Sequence, residues 1–451
     1  MKFVDFFVDF PSQGPARVDF STTGRGVVHA MVFGLSREEL KCWVTLQLAI
    51  SGSGVLPLPF AFASCGAPLG VLCCGAVALL NDATTQWLLA AAKPVSRGGG
   101  VARSYTDLVK RAKFSRAAEV AVELSTALLL FGSLAACLAA VGENAERAAA
   151  TYGFGNDFGD ADARLLAPVL AGAVIAVAGL RSYDDMAVSS ALGVLFLASL
   201  LLAIVAAAVI TAGDGRSAPL RPLTWTAVPP AVSTLGYSLY VGPVALAMLD
   251  DRHGRVDVVR RATHVCFLTT FVIYCALGLA GASWLGRDAP GDVSTAFRLE
   301  EAGGAWAAPS VPVGTVLYLT LANVPLFAPL RDSLGALTGL DGRAVVAATC
   351  ASLALAVVVA VGLKSLVLFS LSGATGVCVT CYVVPVAAHW SIARERDRKY
   401  DGGLVARTIC NEVLAPALAL AFGVAVSVLA IALDAAAFLQ ANMPARPAAA
   451  P

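Results

Sequence analysis

Eleven stretches of this chain are too apolar and too long to sit anywhere but in lipid. A helical span needs about 20 mostly apolar residues. Such stretches run over roughly 42–64, 68–92, 117–142, 164–180, 186–212, 224–249, 262–285, 311–334, 343–361, 363–388 and 408–436. Hydrophobic residues make up 58% of the 451 and charged residues 14%, against about 25% charged in soluble proteins. The mean hydropathy is +0.75. No soluble core hides that much apolar surface, so the fold class is all-α integral membrane. A net charge of +1 excludes a basic nucleic-acid binder and an acidic solvating chain.

Three regions follow: residues 1–41 as a cytosolic N-terminal segment, 42–436 as an eleven-helix membrane domain, and 437–451 as a disordered, Pro/Ala-rich non-cytosolic tail. The N-terminal segment has no basic stretch leading into an apolar core and cleavage site, and so does not read as a signal peptide. Basic residues resist translocation. With the N-terminus in the cytosol, 24 of the 32 lysines and arginines fall inside and 8 outside. The orientation expected is N-in, C-out, in a plasma, vacuolar or endosomal membrane. All eleven cysteines lie in spans or at their edges, which predicts no extracellular disulfide. Cys378-x-x-Cys381 reads as two small residues on one packing face rather than as a redox or metal pair.

Two spans are interrupted. The first contains Ser51-Gly52-Ser53-Gly54-Val55-Leu56-Pro57-Leu58-Pro59, with two glycines and two prolines near mid-membrane. The sixth contains Ser233-Thr234-Leu235-Gly236-Tyr237-Ser238-Leu239-Tyr240-Val241-Gly242-Pro243. Backbone groups freed by a break survive at membrane depth only beside protein or a water-filled cavity. Positions one and six correspond if the chain is two five-helix repeats plus an eleventh helix. Five is odd, so the second repeat enters inverted, and paired breaks of this kind mark the central site of a transporter. Unwinding at Gly52, Ser53, Gly54 and Val55 frees backbone N–H groups suited to a carboxylate. Carbonyls over Thr234, Leu235, Gly236 and Tyr237 suit an ammonium, and the hydroxyls of Ser51, Ser53, Thr234 and Ser238 supplement both. The expected ligand is a small zwitterion, with Tyr237, Tyr240 and Tyr318 as candidates for the rest of the lining.

At these residues the chain resembles the amino acid/auxin permease family of the amino acid–polyamine–organocation superfamily. Gly52-Ser53-Gly54-Val55-Leu56-Pro57-Leu58-Pro59-Phe60-Ala61-Phe62 is similar to that family's first-helix signature. The likeness continues through Gly66, Gly70, Asn81-Asp82, Ser104–Leu108, Phe131-Gly132, Pro325, Pro329-Leu330-Arg331, Phe369–Gly376 and Pro385. It implies a LeuT-like 5+5 inverted repeat plus an eleventh helix, with helices 1 and 6 broken, and amino-acid transport by alternating access. Sodium-coupled members carry an asparagine where this chain has Leu48, and a threonine where it has Asn323, which leaves Asn323 a weak cation-site candidate. The family's sixth helix often has a Cys-His pair where this chain has Val241-Gly242. These departures point away from sodium and toward proton coupling or uncoupled exchange.

Charge within spans is costly and marks function by default. Glu119 and Glu123 lie one turn apart at the start of the third span, and Asp82 lies late in the second. Glu123, the deepest, is the first choice of proton relay, with Glu119 and Asp82 behind it. Interfacial placement, or pairing with Arg111, Arg116 or Arg261, is the competing account of these residues and of His264. Asp250-Asp251-Arg252 reads as a solvated helix cap. The Ser104–Lys113 loop reads as a positive anchor, with an amphipathic surface helix as its alternative.

The function expected is secondary active transport of small neutral amino acids, proton-coupled, with the bilayer and the substrate as partners. No cofactor, resident metal, nucleic acid or obligate protein partner is implied. The alternatives are an amino-acid sensor signalling through its N-terminus and an uncoupled exchanger of another small organic acid, auxin-like in kind. No nucleophile and base cluster together, so an enzyme is not expected.

Overall fold

The computed structural model describes residues 34–93, 100–152, 160–214, 223–252, 254–286, 289–297, 307–362, 373–399 and 415–442. Among these residues every regular element is helical. The first membrane helix starts at Arg37, upstream of the apolar stretch, because Ser36 and Glu39 form a reciprocal capping box there. It runs as α1 (Arg37–Ser51), a single 3-10 turn (Ser53–Val55) and α2 (Leu58–Cys65). The two halves are bent by 55°.

The chain continues as α3 (Ala67–Ala92), α4 (Tyr105–Arg111), α5 (Arg116–Tyr152), α6 (Asp160–Ala178) and α7 (Tyr183–Gly213). After these come α8 (Val228–Ser238), α9 (Gly242–Asp251), α10 (Val256–Leu285), α11 (Ala307–Asn323), α12 (Phe327–Thr338) and α13 (Gly342–Gly362). A π-helical segment over Gly373–Val383 leads into α14 (Val384–Lys399), and α15 (Ala415–Asn442) ends the described chain. Helices thus occupy each of the eleven apolar stretches. Among the described residues seven helical stretches are long and apolar enough to cross a membrane, with α8–α9 and α11–α12 each counted as one, and the bent α1–α2 pair makes an eighth.

Packing turns a soluble protein inside out. Leu72, Leu79, Leu202 and Val358 are about two-thirds exposed, which suits lipid and would be costly in water. The middle of α5, by contrast, is buried on every side from Gly132 to Gly142. The half-helix α2 lies close against α10 because α10 offers glycines there. A Cβ on Gly281 would stand 2.4 Å from Pro59, and one on Gly278 would stand 2.5 Å from Phe62.

Two expectations change. α5 runs ten residues past the predicted end of the third span, to Tyr152, and its far turns carry Asn144 and Arg147. The Ser104–Lys113 loop holds the short helix α4, whose Tyr105, Leu108 and Val109 are buried against the protein. Tyr105 Oη donates to the Thr380 carbonyl at 2.9 Å, so this apolar face is covered by protein.

Candidate functional site at the broken helices

The two breaks touch. Gly54 packs so tightly on α8 that a Cβ there would stand 2.5 Å from Ser238 Cα and 2.5 Å from its Oγ. Ser238 Oγ lies 2.7 Å from both the Gly54 carbonyl and the Thr234 carbonyl, with one proton to donate. The sixth-span interruption falls at Leu239–Val241, later than the Thr234–Tyr237 carbonyls suggested, because α8 stays helical to Ser238 and Gly242-Pro243 opens α9. A proline is tolerated in the first turn of a helix and not deeper.

The carbonyls that breaking frees already have donors. Tyr318 Oη, from α11, reaches the carbonyl oxygens of Ser51 and Gly52. Tyr274 Oη, from α10, lies 2.9 Å from the Ile50 carbonyl and 2.7 Å from that of Ser238, bridging the two breaks. Asn81 Nδ2, from α3, donates to the Leu239 carbonyl at 3.3 Å. Tyr274, Tyr318 and Asn81 are all essentially inaccessible. A buried carbonyl without a donor costs roughly 1–3 kcal/mol, so these side chains are what makes the unwound backbone tolerable.

Hydroxyls form a second layer. Tyr237 Oη stands 3.1 Å from Ser53 Oγ and 3.1 Å from Ser133 Oγ, and Tyr240 Oη donates to Ser133 Oγ at 2.9 Å. The rings of Tyr237 and Tyr240 are 5.8 Å apart. Cys137 sits within hydrogen-bonding reach of Ser53 and Asn323. Asn323 donates through Nδ2 to the Leu319 carbonyl at 2.6 Å, while its buried Oδ1 has no partner.

The predicted site residues therefore divide. Ser51, Ser53, Gly54, Val55, Tyr237 and Ser238 converge where the breaks meet, and Leu235 is buried behind them. Gly52 N–H is committed to the Leu48 carbonyl at 3.2 Å and does not face a ligand. Gly236 faces Val377 of the π segment, 3.9 Å from where a Cβ would stand. Thr234 contributes its carbonyl to Ser238. Ser133, Cys137, Asn81 and Tyr274 join the site without having been singled out for it. Each comes from another helix, and nothing local in sequence aims it at the break.

The charged candidates separate as well. Glu123 is buried, takes a hydrogen bond from Thr106 of α4 and lies against Ser333 of α12. Glu119 pairs with Arg116 at 2.7 Å, as an interfacial residue does. Asp82 meets His264 Nδ1 at 2.6 Å and Gln86 at 3.2 Å, a pairing across α3 and α10. Arg252 corrects the expectation of a solvated cap. It is 5% exposed, its Nη2 meets Asp184 of α7 at 2.7 Å, and its Nε donates to Cys42 Sγ of α1 at 3.2 Å.

A cavity of about 610 Å³ opens at the end of the bundle that carries the basic Lys93–Arg116 loop. Arg103, Tyr183, Ala247, Ala328 and Arg331 are among its lining. Its inner wall approaches the 3-10 turn over Val324–Leu326, where Tyr183 Oη donates to the Pro325 carbonyl at 3.1 Å.

These features define a polytopic helical membrane protein with a polar site where two interrupted helices meet. The chain matches the transmembrane amino acid transporter protein family over residues 39–429 and belongs to that family. Among solved structures it is similar to a histidine-to-alanine mutant of the manganese transporter of Eremococcus coleocola. That match has 10% identity over 87% of this chain and 94% of the other, at a TM-score of 0.47. No curated protein matches it.

Proposed function

We propose that this protein is a secondary transporter of small neutral amino acids that works by alternating access and does not use sodium. The observation carrying this reading is the direct contact of the two breaks, Gly54 on Ser238, inside a chain of an amino acid transporter family. A zwitterion binds between half-helices, its carboxylate toward the N–H groups of Ser53–Val55 and its ammonium toward carbonyls near the end of α8. Small size follows from the hydroxyl layer of Ser53, Ser133, Tyr237 and Tyr240, which leaves little room for a long side chain. Neutrality follows from the lining, in which none of the described residues named at the breaks carries a charge.

The tyrosines argue against sodium. The end of α1 presents carbonyls of partial negative charge, the place for a cation. Tyr318 and Tyr274 put phenol protons there instead. The single unpartnered oxygen of Asn323 is no coordination shell for a hard cation, which takes several oxygens. A proton is the coupling ion in this reading, with Glu123 as its carrier beside Thr106 and Ser333. The LeuT-like inverted repeat, the N-in orientation and the cavity as the cytosolic exit complete the scheme.

The test is uptake of labelled amino acids into proteoliposomes in sodium-free buffer, with and without an inward proton gradient. Accumulation that requires the gradient and ignores sodium is expected. Saturable binding with no flux under any gradient refutes transport, and sodium-dependent accumulation refutes the role given to the tyrosines.

A further inference from the structure

At the end of the bundle opposite the cavity, a loop segment dips back into the protein. Residues 289–297 follow α10, and Val293 and Ser294 at their centre are fully buried. Val293 N–H donates to the Leu56 carbonyl at 3.1 Å, so this segment closes directly over the broken part of the first helix. Phe297 packs on Trp284 of α10, ring centroids 4.8 Å apart. An aspartate sits at the turning point. Asp292 Oδ1 accepts from the Ser294 amide at 2.8 Å and from its hydroxyl. Oδ2 accepts from Asn144 Nδ2 of α5 at 3.4 Å.

We infer that Asp292 is a proton-binding site whose occupancy closes this segment over the first-helix break. The inference rests on the transport reading only for its physiological use, which is sealing the site from the side away from the basic loops.

The surroundings of the carboxyl are specific. From α5 it faces Asn144, Arg147 and Glu143, the arginine attracting its negative form and the glutamate repelling it. The helices α2 and α11, which also pack on the segment, carry no carboxylate, amine, guanidinium or imidazole among their described side chains. From α10 the segment meets Trp284, whose indole carries no charge. The polar fit is incomplete. Asn144 Oδ1 lacks a hydrogen-bond partner, an acceptor that a protonated carboxyl can use and a carboxylate cannot, and the 3.4 Å contact from Asn144 Nδ2 is long for a bond to a charge, which is ordinarily shorter than about 2.9 Å. A protonated carboxyl suits such a setting better than a carboxylate. Burial accordingly pushes Asp292 up from the usual carboxylate range, against the opposing pull of the Ser294 donors and Arg147.

The sign follows from linkage. With the segment lifted into water the carboxyl returns to its ordinary range, so closing takes up a proton. Closure is favoured while the pH lies below the raised value and weakens as the pH climbs through it. Acid on that side therefore favours the shut segment, and a pH above the raised value loosens it.

The experiment places a thiol under the lid, Val293→Cys, and follows its reaction with a membrane-impermeant maleimide added outside intact cells. Ala289→Cys serves as a second reporter should the first not reach the membrane. Each reporter is combined with native Asp292 and with Asp292→Asn, which imitates the protonated form, and the ratio of the two rates cancels the pH dependence of the thiol itself. The ratio is expected near one at about pH 5 and about fivefold or more at about pH 8. A ratio that stays constant across that range overturns the inference. So does labelling seen only after the cells are permeabilised, since the segment then does not face outward. Labelling needs no transport, so absent uptake with a pH-dependent ratio sinks the transport reading alone.

Discussion

Replacing Gly54 by alanine tests the contact on which the functional reading stands. The added methyl would lie 2.5 Å from Ser238 Cα and 2.6 Å from its Cβ, and a backbone atom cannot rotate away as the tip of a flexible side chain can. Forcing one extra methyl into a packed interior costs about 1–3 kcal/mol. Separating the helices also lengthens the 2.7 Å bond from Ser238 Oγ to the Gly54 carbonyl, worth about 0.5–1.5 kcal/mol. Together the arrangement with touching breaks loses about 1.5–4.5 kcal/mol, which is about 10- to 1,600-fold in its population at about 1.4 kcal/mol per tenfold. If each transport cycle passes through it, the initial uptake rate at saturating amino acid falls by about tenfold or more. Gly54→Val, with two further methyls, abolishes uptake. The assay is uptake normalised to the amount of protein at the membrane, with Gly236→Ala as the steric control, because a methyl there meets only Val377 at 3.9 Å. Uptake by Gly54→Ala within about twofold of native, at equal membrane abundance, would refute the reasoning.

Three further substitutions separate the parts of the scheme. Tyr318→Phe removes the donor shared by the Ser51 and Gly52 carbonyls and should destabilise the purified protein by about 1–3 kcal/mol, measured as a lower unfolding temperature; an unchanged transition would mean those carbonyls need no donor. Glu123→Gln keeps the volume and the Thr106 contact but holds no exchangeable charge, so exchange between preloaded vesicles should persist while gradient-driven accumulation disappears. Retained accumulation would move the coupling role elsewhere, first to Asp82. Arg252→Gln removes the cation that links Cys42, Asp184 and α9, and Cys42, now fully buried, should become reactive to maleimide from the basic-loop side. A Cys42 that stays inert would show that the arginine holds nothing shut.

The parts legible in the sequence were those governed by local composition. About 20 apolar residues in a row are helical in lipid whatever surrounds them, so helices stand in every apolar stretch. Two glycines and two prolines in eight residues announce the bend of the first helix, and the 55° change of direction falls there. The sixth break was visible as a region but not in position, since Leu239-Tyr240-Val241 contains no residue that breaks helices by itself. It opens there because partners more than thirty residues away donate to its carbonyls, Tyr274 to Ser238 and Asn81 to Leu239. The same holds for Arg252. Its neighbours Asp250 and Asp251 suggested a solvated cap, whereas its partners are Cys42 and Asp184, which no spacing rule brings together. Asp292 lies in a loop with no motif at all, and only the extra turns of α5 that carry Asn144 and Arg147 give it meaning.

The bend in the first helix ties the two ends of the molecule to one another. Its first half, α1, is held at the basic-loop end through Cys42 and Arg252, with Lys41 reaching Asp184 at 3.6 Å. Its far side is held at the opposite end through the Leu56 carbonyl and Val293. Between those holds lie Gly52 to Pro57, where the helix has lost its regular ladder and where Tyr318 and Tyr274 supply donors from α11 and α10. A hinge needs backbone groups that can exchange partners at little cost, and a phenol shared between two carbonyls offers that better than a fixed ladder bond. Motion of α1 thus need not disturb the contact of Val293 with Leu56, and lifting the 289–297 segment need not disturb Arg252. The alternating access proposed above requires that the ends open one at a time, and separate holds let one be released while the other stays shut. In this arrangement a ligand that binds at Ser53–Val55 sits on the one stretch of chain both ends share, and so is able to bias which end opens.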